Sequence, residues 1–166
     1  MSNAAAGVLA AGLLAATVID LRSRRIPNVL TATMAGLGIG LAATGTSGAT
    51  VGASLAGLVL GLLLMLPGHA LGATGAGDVK LMAAVGAIVG PALVLSAFIC
   101  TSLAGGVLAI AVAIRRRRLA STLAQTGRLV AAPGTASQAI KAAPATSRFA
   151  YGPAIAVGSA LAVLIA

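Results

Sequence analysis

Two residues in this chain have the chemistry of proton transfer, and they are its only acids: Asp20 and Asp78. With no glutamate at all, ordinary surface solvation does not account for them. Asp20 follows the apolar run 4–19, and Asp78 precedes another that begins at Val79. An acid at membrane depth is costly and is a functional hypothesis by default. If the two share a depth on neighbouring helices, their carboxylates cannot easily both ionise. An ionised carboxylate then takes a proton from water while its protonated partner donates to a carbonyl, which is the acid–base chemistry of an aspartic protease. Each aspartate also has a structural reading: Asp20 ends its helix against Arg24, and Asp78 caps the next one, where a carboxylate suits the helix dipole. Proton-coupled transport is the alternative function for a pair of intramembrane acids.

Composition sets the frame for that pair. The 166 residues are 59% hydrophobic and 8% charged, with a mean hydropathy of +1.08, which excludes a water-soluble enzyme, a disordered tail and a disulfide-stapled domain. Metal binding is not expected, because His69 is the only histidine and Cys100 the only cysteine. No cofactor is implied. The net charge of +9 would suggest nucleic acid in a soluble protein, yet almost no aromatic residues are interleaved to stack on bases. Basic loops and anionic lipid head groups explain it better.

The apolar runs predict an all-α polytopic membrane protein of about six transmembrane helices in one bundle, at 4–19, 29–44, 49–66, 79–89, 92–114 and 149–166. Gly45 to Gly48 link the second and third. Pro67-Gly68-His69 and the glycines up to Asp78 read as a loop. Residues 79–114 as one helix would be about 54 Å long at ~1.5 Å per residue, against a core of roughly 30 Å, so a break is expected at Gly90-Pro91. Segment 115–148, with Arg115 to Arg118, reads as an interfacial region anchored to lipid.

Charge checks the count. The basic residues fall in three segments: Arg22, Arg24 and Arg25; Lys80; and seven between Arg115 and Arg148. Two spans separate each neighbouring pair, so all lie on one face. The positive-inside rule makes that face cytoplasmic, with both termini outside. Asp20 and Asp78 belong to it too. The short first arm, 79–89, implies that Asp78 sits below the surface in a water-filled notch, because irregular glycine backbone survives at that depth only where protein or water satisfies it.

The stretch Asp20-Leu21-Arg22-Ser23-Arg24-Arg25-Ile26-Pro27-Asn28, followed by Gly75-Ala76-Gly77-Asp78-Val79-Lys80, resembles the paired signature of type IV prepilin peptidases, the GxGD-type membrane aspartic proteases. Tyr151-Gly152-Pro153-Ala154-Ile155-Ala156 is similar to that family's last motif. The resemblance implies Asp20 and Asp78 as the catalytic pair. It also implies a membrane-anchored prepilin with a basic leader as substrate, and residence in the inner (cytoplasmic) membrane. Longer members carry a cysteine-bearing cytoplasmic insert and methylate the new pilin terminus. Here the first link is only Leu21 to Asn28, which argues against methylation; the small size resembles the stand-alone peptidases of tight-adherence (Flp-type) pili, and archaeal-type preflagellin peptidases are short as well. Around the pair, Gly75 and Gly77 either let an extended substrate approach Asp78 or serve a loop of positive φ. Lys80 either faces an aspartate or a substrate carboxylate, or snorkels to the interface. Arg25, Pro27 and Asn28 shape the start of the second span, with Asn28 able to bond backbone groups.

Overall fold

The computed structural model describes residues 1–115 and 151–165. Every regular element among them is helical: α1 (Asn3–Ser23), α2 (Asn28–Ala43), α3 (Val51–Ala70), α4 (Ala76–Arg115) and α5 (Gly152–Ile165). The expected interfacial segment falls, beyond Arg115, outside the described residues. Asn3–Ser23, Val51–Ala70 and the stretch Ala76–Ala111 are long and apolar enough to cross a membrane, while α2 and α5 are shorter apolar helices. The chain is a helical membrane protein.

Helix ends follow local chemistry. Ser2 Oγ accepts the Ala5 N–H (3.2 Å) and Thr50 Oγ1 that of Ala53 (3.1 Å), each satisfying an orphan donor of a first turn. Gly45 and Gly48, both at positive φ, turn the chain between α2 and α3. Several boundaries differ from the sequence reading, among them the start of α4, which is Ala76 and not Val79, so that Gly77 and Asp78 are helical. Helix α1 continues one turn past Ile19 and stops at Arg24, whose left-handed backbone (φ 52°) lets its N–H return to the Asp20 carbonyl (2.8 Å). Helix α3 also runs on, through Pro67-Gly68-His69 to Ala70, so the loop shrinks to residues 71–75. Proline there removes one hydrogen bond near a helix end. Its carbonyl and those of Gly68 and His69 still accept bonds from residues 71–74, and these close the turn.

Helix α4 is bent where proline predicts. Gly90 has φ 82° and ψ 177°, outside the helical region, and Pro91 follows it. The break reverses the chain. Tyr151 lies against Gly105 and its neighbour Gly152 bonds Asp20 at the end of α1, where Ile26 of the following turn packs against Gly77, whereas a straight helix would hold residues 78 and 105 about 40 Å apart at ~1.5 Å per residue. Segment 76–89 therefore rises into the bundle and 91–115 returns.

The first arm is the core. Leu81, Met82, Ala84, Val85, Ala87 and Ile88 are all buried, the all-round burial of a helix enclosed by others. The surrounding helices each bury a single stripe: Ala5, Leu9, Gly12, Leu13, Ala16 and Asp20 on α1, and Ser54, Gly57, Gly61 and Met65 on α3. Their other faces expose Leu14, Val18, Leu55, Val59 and Leu63, apolar surface that lipid can cover. Small residues set the spacing. A Cβ on Gly57 would run into the Gly86 carbonyl, and one on Gly61 into that of Met82. Ser54 Oγ donates to the Ala87 carbonyl at 2.6 Å. This is close small-residue packing of the kind that joins helices where lipid provides no hydrophobic drive.

Gly90→Ala should cost about 1–3 kcal/mol, since its backbone conformation is closed to other residues although space is free around it. Gly57→Leu should prevent α3 from seating at all. Thermal unfolding in detergent checks both: a lowered midpoint for the first, and no folded monodisperse protein for the second.

Candidate active site

Both aspartates are buried by the helices that carry them. Asp20 falls in the last turns of α1, on the stripe begun by Ala5, Leu9 and Ala16, and is 5% exposed. Asp78 lies in the first turn of α4 and is 7% exposed. A carboxylate so enclosed needs a donor.

Each has one, from a backbone. Gly75 N–H donates to Asp78 Oδ2 at 2.9 Å. Gly75 precedes the first residue of α4 and Asp78 is the third within it, so this is the reciprocal half of a capping box. Asp78 is thus not the cap itself, as its structural reading had it. Asp20 is held from far away in sequence: Gly152 N–H donates to its Oδ2 at 2.9 Å, in a buried bond spanning 132 positions. Tyr151 precedes α5 and its carbonyl accepts the Ile155 N–H (3.1 Å), leaving the Gly152 N–H as a free first-turn donor. Asp20 takes that donor and sits at the positive end of the α5 dipole. Its backbone carbonyl terminates α1 at Arg24, as the structural reading had it; its carboxylate does something else.

The two carboxylates lie at the same end of the bundle: the turn that follows Asp20 packs Ile26 against Gly77, next to Asp78, and Lys80 bonds Asn28 just beyond it. With Oδ2 of each aspartate engaged by a peptide N–H, Oδ1 of each is the oxygen left for other chemistry. Among the described residues no cluster of three or more metal-ligating side chains occurs.

The flanking residues sort themselves by contact. The 24–27 turn crosses the start of α4, where a Cβ on Gly77 would lie 3.1 Å from that of Ile26 and 3.4 Å from its backbone nitrogen. A Cβ on Gly75 would lie 3.1 Å from Asp78 Oδ2. Neither glycine has a positive φ, which belongs instead to Gly45, Gly48, Gly72 and Gly90. Absence of a side chain is what their sites use, and the groups that approach are the protein's own. Lys80 extends to Asn28, donating to its Oδ1 at 2.8 Å and pinning the start of α2 to α4. Asn28 is thereby a side-chain partner of Lys80; Pro27, extended at ψ 138°, stands at the helix cap without a side-chain bond. Arg25 is exposed on the turn, where its carbonyl accepts from Ser23 Oγ (3.1 Å). His69, in the last turn of α3, bonds the Thr74 carbonyl through Nδ1 (3.0 Å) and steadies the loop leading to Gly75.

Sequence reasoning named Asp20 and Asp78 and did not find the Gly152 amide. The available signal was Gly152 followed by Pro153 at a helix start, since proline has no N–H and the glycine's becomes the accessible first-turn donor.

The structure is thus a bundle of apolar helices with two buried carboxylates at one end. Residues 7–110 match the model of the type IV leader peptidase family, well over half the chain, so the chain belongs to that family. It is a protease-family membrane protein, and the family implies a prepilin as substrate. No curated protein matches it, nor does any solved structure. Tyr151 and Gly152 lie beyond the matched stretch.

The Lys80–Asn28 bond puts the first basic cluster and Lys80 at one end of the bundle. In a Cys100→Ala background, Arg25→Cys and Lys80→Cys should therefore react with a membrane-impermeant maleimide from the same side of sealed vesicles. Labelling from opposite sides would contradict the arrangement.

Proposed function

We propose that this chain is an aspartic endopeptidase that removes the basic leader of a type IV or Flp-type prepilin at the cytoplasmic membrane face, with Asp20 and Asp78 as its catalytic pair. One observation carries the reading. The only two acids of the chain, on helices α1 and α4, are both buried and stand at one end of the bundle.

In this mechanism a water lies between the two free carboxylate oxygens. The ionised aspartate takes its proton as the water oxygen bonds to the scissile carbonyl carbon, and the protonated partner gives its proton to the carbonyl oxygen. Collapse of the tetrahedral intermediate breaks the C–N bond, and the departing amine leaves with the proton first taken from water. The scissile peptide must be extended, since helical carbonyls are already engaged. The junction between the leader and the hydrophobic helix enters a cytoplasmic notch at the 71–75 loop, and the helix stays in lipid. Six spans follow if both arms of α4 cross the bilayer. The basic segments then face the cytoplasm, in the inner membrane, with both termini outside. Arg25, on the exposed turn, and Lys80 mark that face. Lys80 and Asn28, with Gly75, Gly77 and Pro27, shape the site rather than react.

Reconstitution with a candidate prepilin tests this. Asp20→Ala and Asp78→Ala should each abolish the shortened product. Asp→Asn at either position should lower the rate by at least about 10²-fold, because an amide keeps the size but cannot take a proton from water. Normal processing by either alanine variant would end the aspartic reading, and aspartate-dependent solute flux without cleavage would replace it with transport.

A further inference from the structure

The donors on the two aspartates are alike in length and unlike in origin. Asp78 is held from three residues away, within its own helix start, and that clamp forms as soon as α4 does. Asp20 is held by Gly152, and its clamp exists only when α5 is docked against α1. Gly152 is itself buried, and its α-carbon faces the carboxyl group. A Cβ there would lie 2.8 Å from Asp20 Oδ2, 3.1 Å from its Cβ and 3.2 Å from its Cγ. These atoms belong to a short side chain on a packed helix, with no flexible end to swing away. Two separate features of one residue thus bear on Asp20: the N–H it offers and the side chain it lacks.

We propose that Gly152 is a positioning residue of the peptidase, placing the Asp20 carboxylate opposite Asp78 through its amide and its missing Cβ, so that α5 is an integral wall of the active centre. The inference rests on the reading of Asp20 and Asp78 as the catalytic pair. Gly152 touches no reacting atom; it acts through Asp20. With Oδ2 fixed on the amide, Oδ1 is turned to the water. Any side chain at 152 displaces that oxygen, and an acid–base pair misplaced by about 1 Å loses on the order of 10² in rate.

Steady-state cleavage of a prepilin by the full chain in detergent is the first test. Gly152→Ala should lower kcat at least tenfold per folded molecule and leave KM within twofold, since the contacts that bind precursor are intact. Gly158→Ala crowds the same helix against Thr101, six residues further on. It should lower thermal stability and leave kcat per folded molecule within twofold. Wild-type kcat in Gly152→Ala, or equal losses in the two variants, would overturn the proposal. A spectroscopic readout needs no variant at 152. Tyr151 is the only tyrosine, so ¹³C-carbonyl tyrosine with ¹⁵N-glycine marks the Tyr151–Gly152 peptide alone in an NMR spectrum. Its amide resonance should move further in Asp20→Asn, which changes its hydrogen-bond acceptor, than in Asp78→Asn, which leaves that bond in place; a resonance indifferent to Asp20 overturns the proposal even if Gly152→Ala fails to fold. Failure of the catalytic reading has a different signature: Asp20→Asn would cleave normally whatever the Gly152 resonance does.

Discussion

Burying a carboxylate in an apolar bundle is tolerable only if something donates to it, and here the donor is a helix N-terminus both times. An unpaired buried anion would cost several kcal/mol or neutralise itself. The peptide N–H groups of a first turn have no partner within their own helix, so they are the one source of hydrogen bonds that such a chain, with few polar side chains, always contains. Gly75 at the start of α4 and Gly152 at the start of α5 supply one each. Much of the architecture can be seen as what is needed to bring two helix starts and the end of α1 to one place.

Bringing them there takes a chain that turns back on itself inside the bundle. Gly90 and Pro91 provide the reversal, and the first arm of α4 becomes a core helix that carries Asp78 into the interior. Its neighbours come close because glycine and serine occupy their inward stripes. Gly57 and Gly61 allow α3 to lie almost backbone to backbone against residues 82–90, and Gly38 does the same for α2. Lipid is as apolar as leucine, so contact of this kind, with a buried bond such as Ser54 to Ala87, has to hold the helices together. Glycine therefore does three separate things in this molecule: it reverses α4, it admits neighbouring backbones, and it makes room for carboxylates.

Fixing the chemistry and fixing the membrane boundary proved to be different problems. Span ends read from hydropathy came out short by one turn at α1 and α3, since hydropathy stops at the first polar residue while helical hydrogen bonding does not. Asp20 thus lies within the last turns of α1, and His69 belongs to a helix end rather than to a loop. That one turn matters, because it puts Asp20 on the buried stripe of α1 and His69 beside the loop that supports Asp78.

The amino-acid sequence alone determined the membrane class, the helical runs, the break at Gly90-Pro91 and the identity of the two acids. Each of these depends on local composition, on the backbone limits of glycine and proline, or on the scarcity of carboxylates in an apolar chain. Only the tertiary structure decided what holds those acids. The Gly75 clamp lies within four residues, yet it needs Asp78 to be the third residue of its helix and not the cap, a register that periodicity does not fix. The Gly152 clamp joins positions 132 apart, and Lys80 finds Asn28 across 52. Pairings at that separation are set by which helix packs beside which, and packing depends on the shapes of whole faces, which no short stretch of sequence contains.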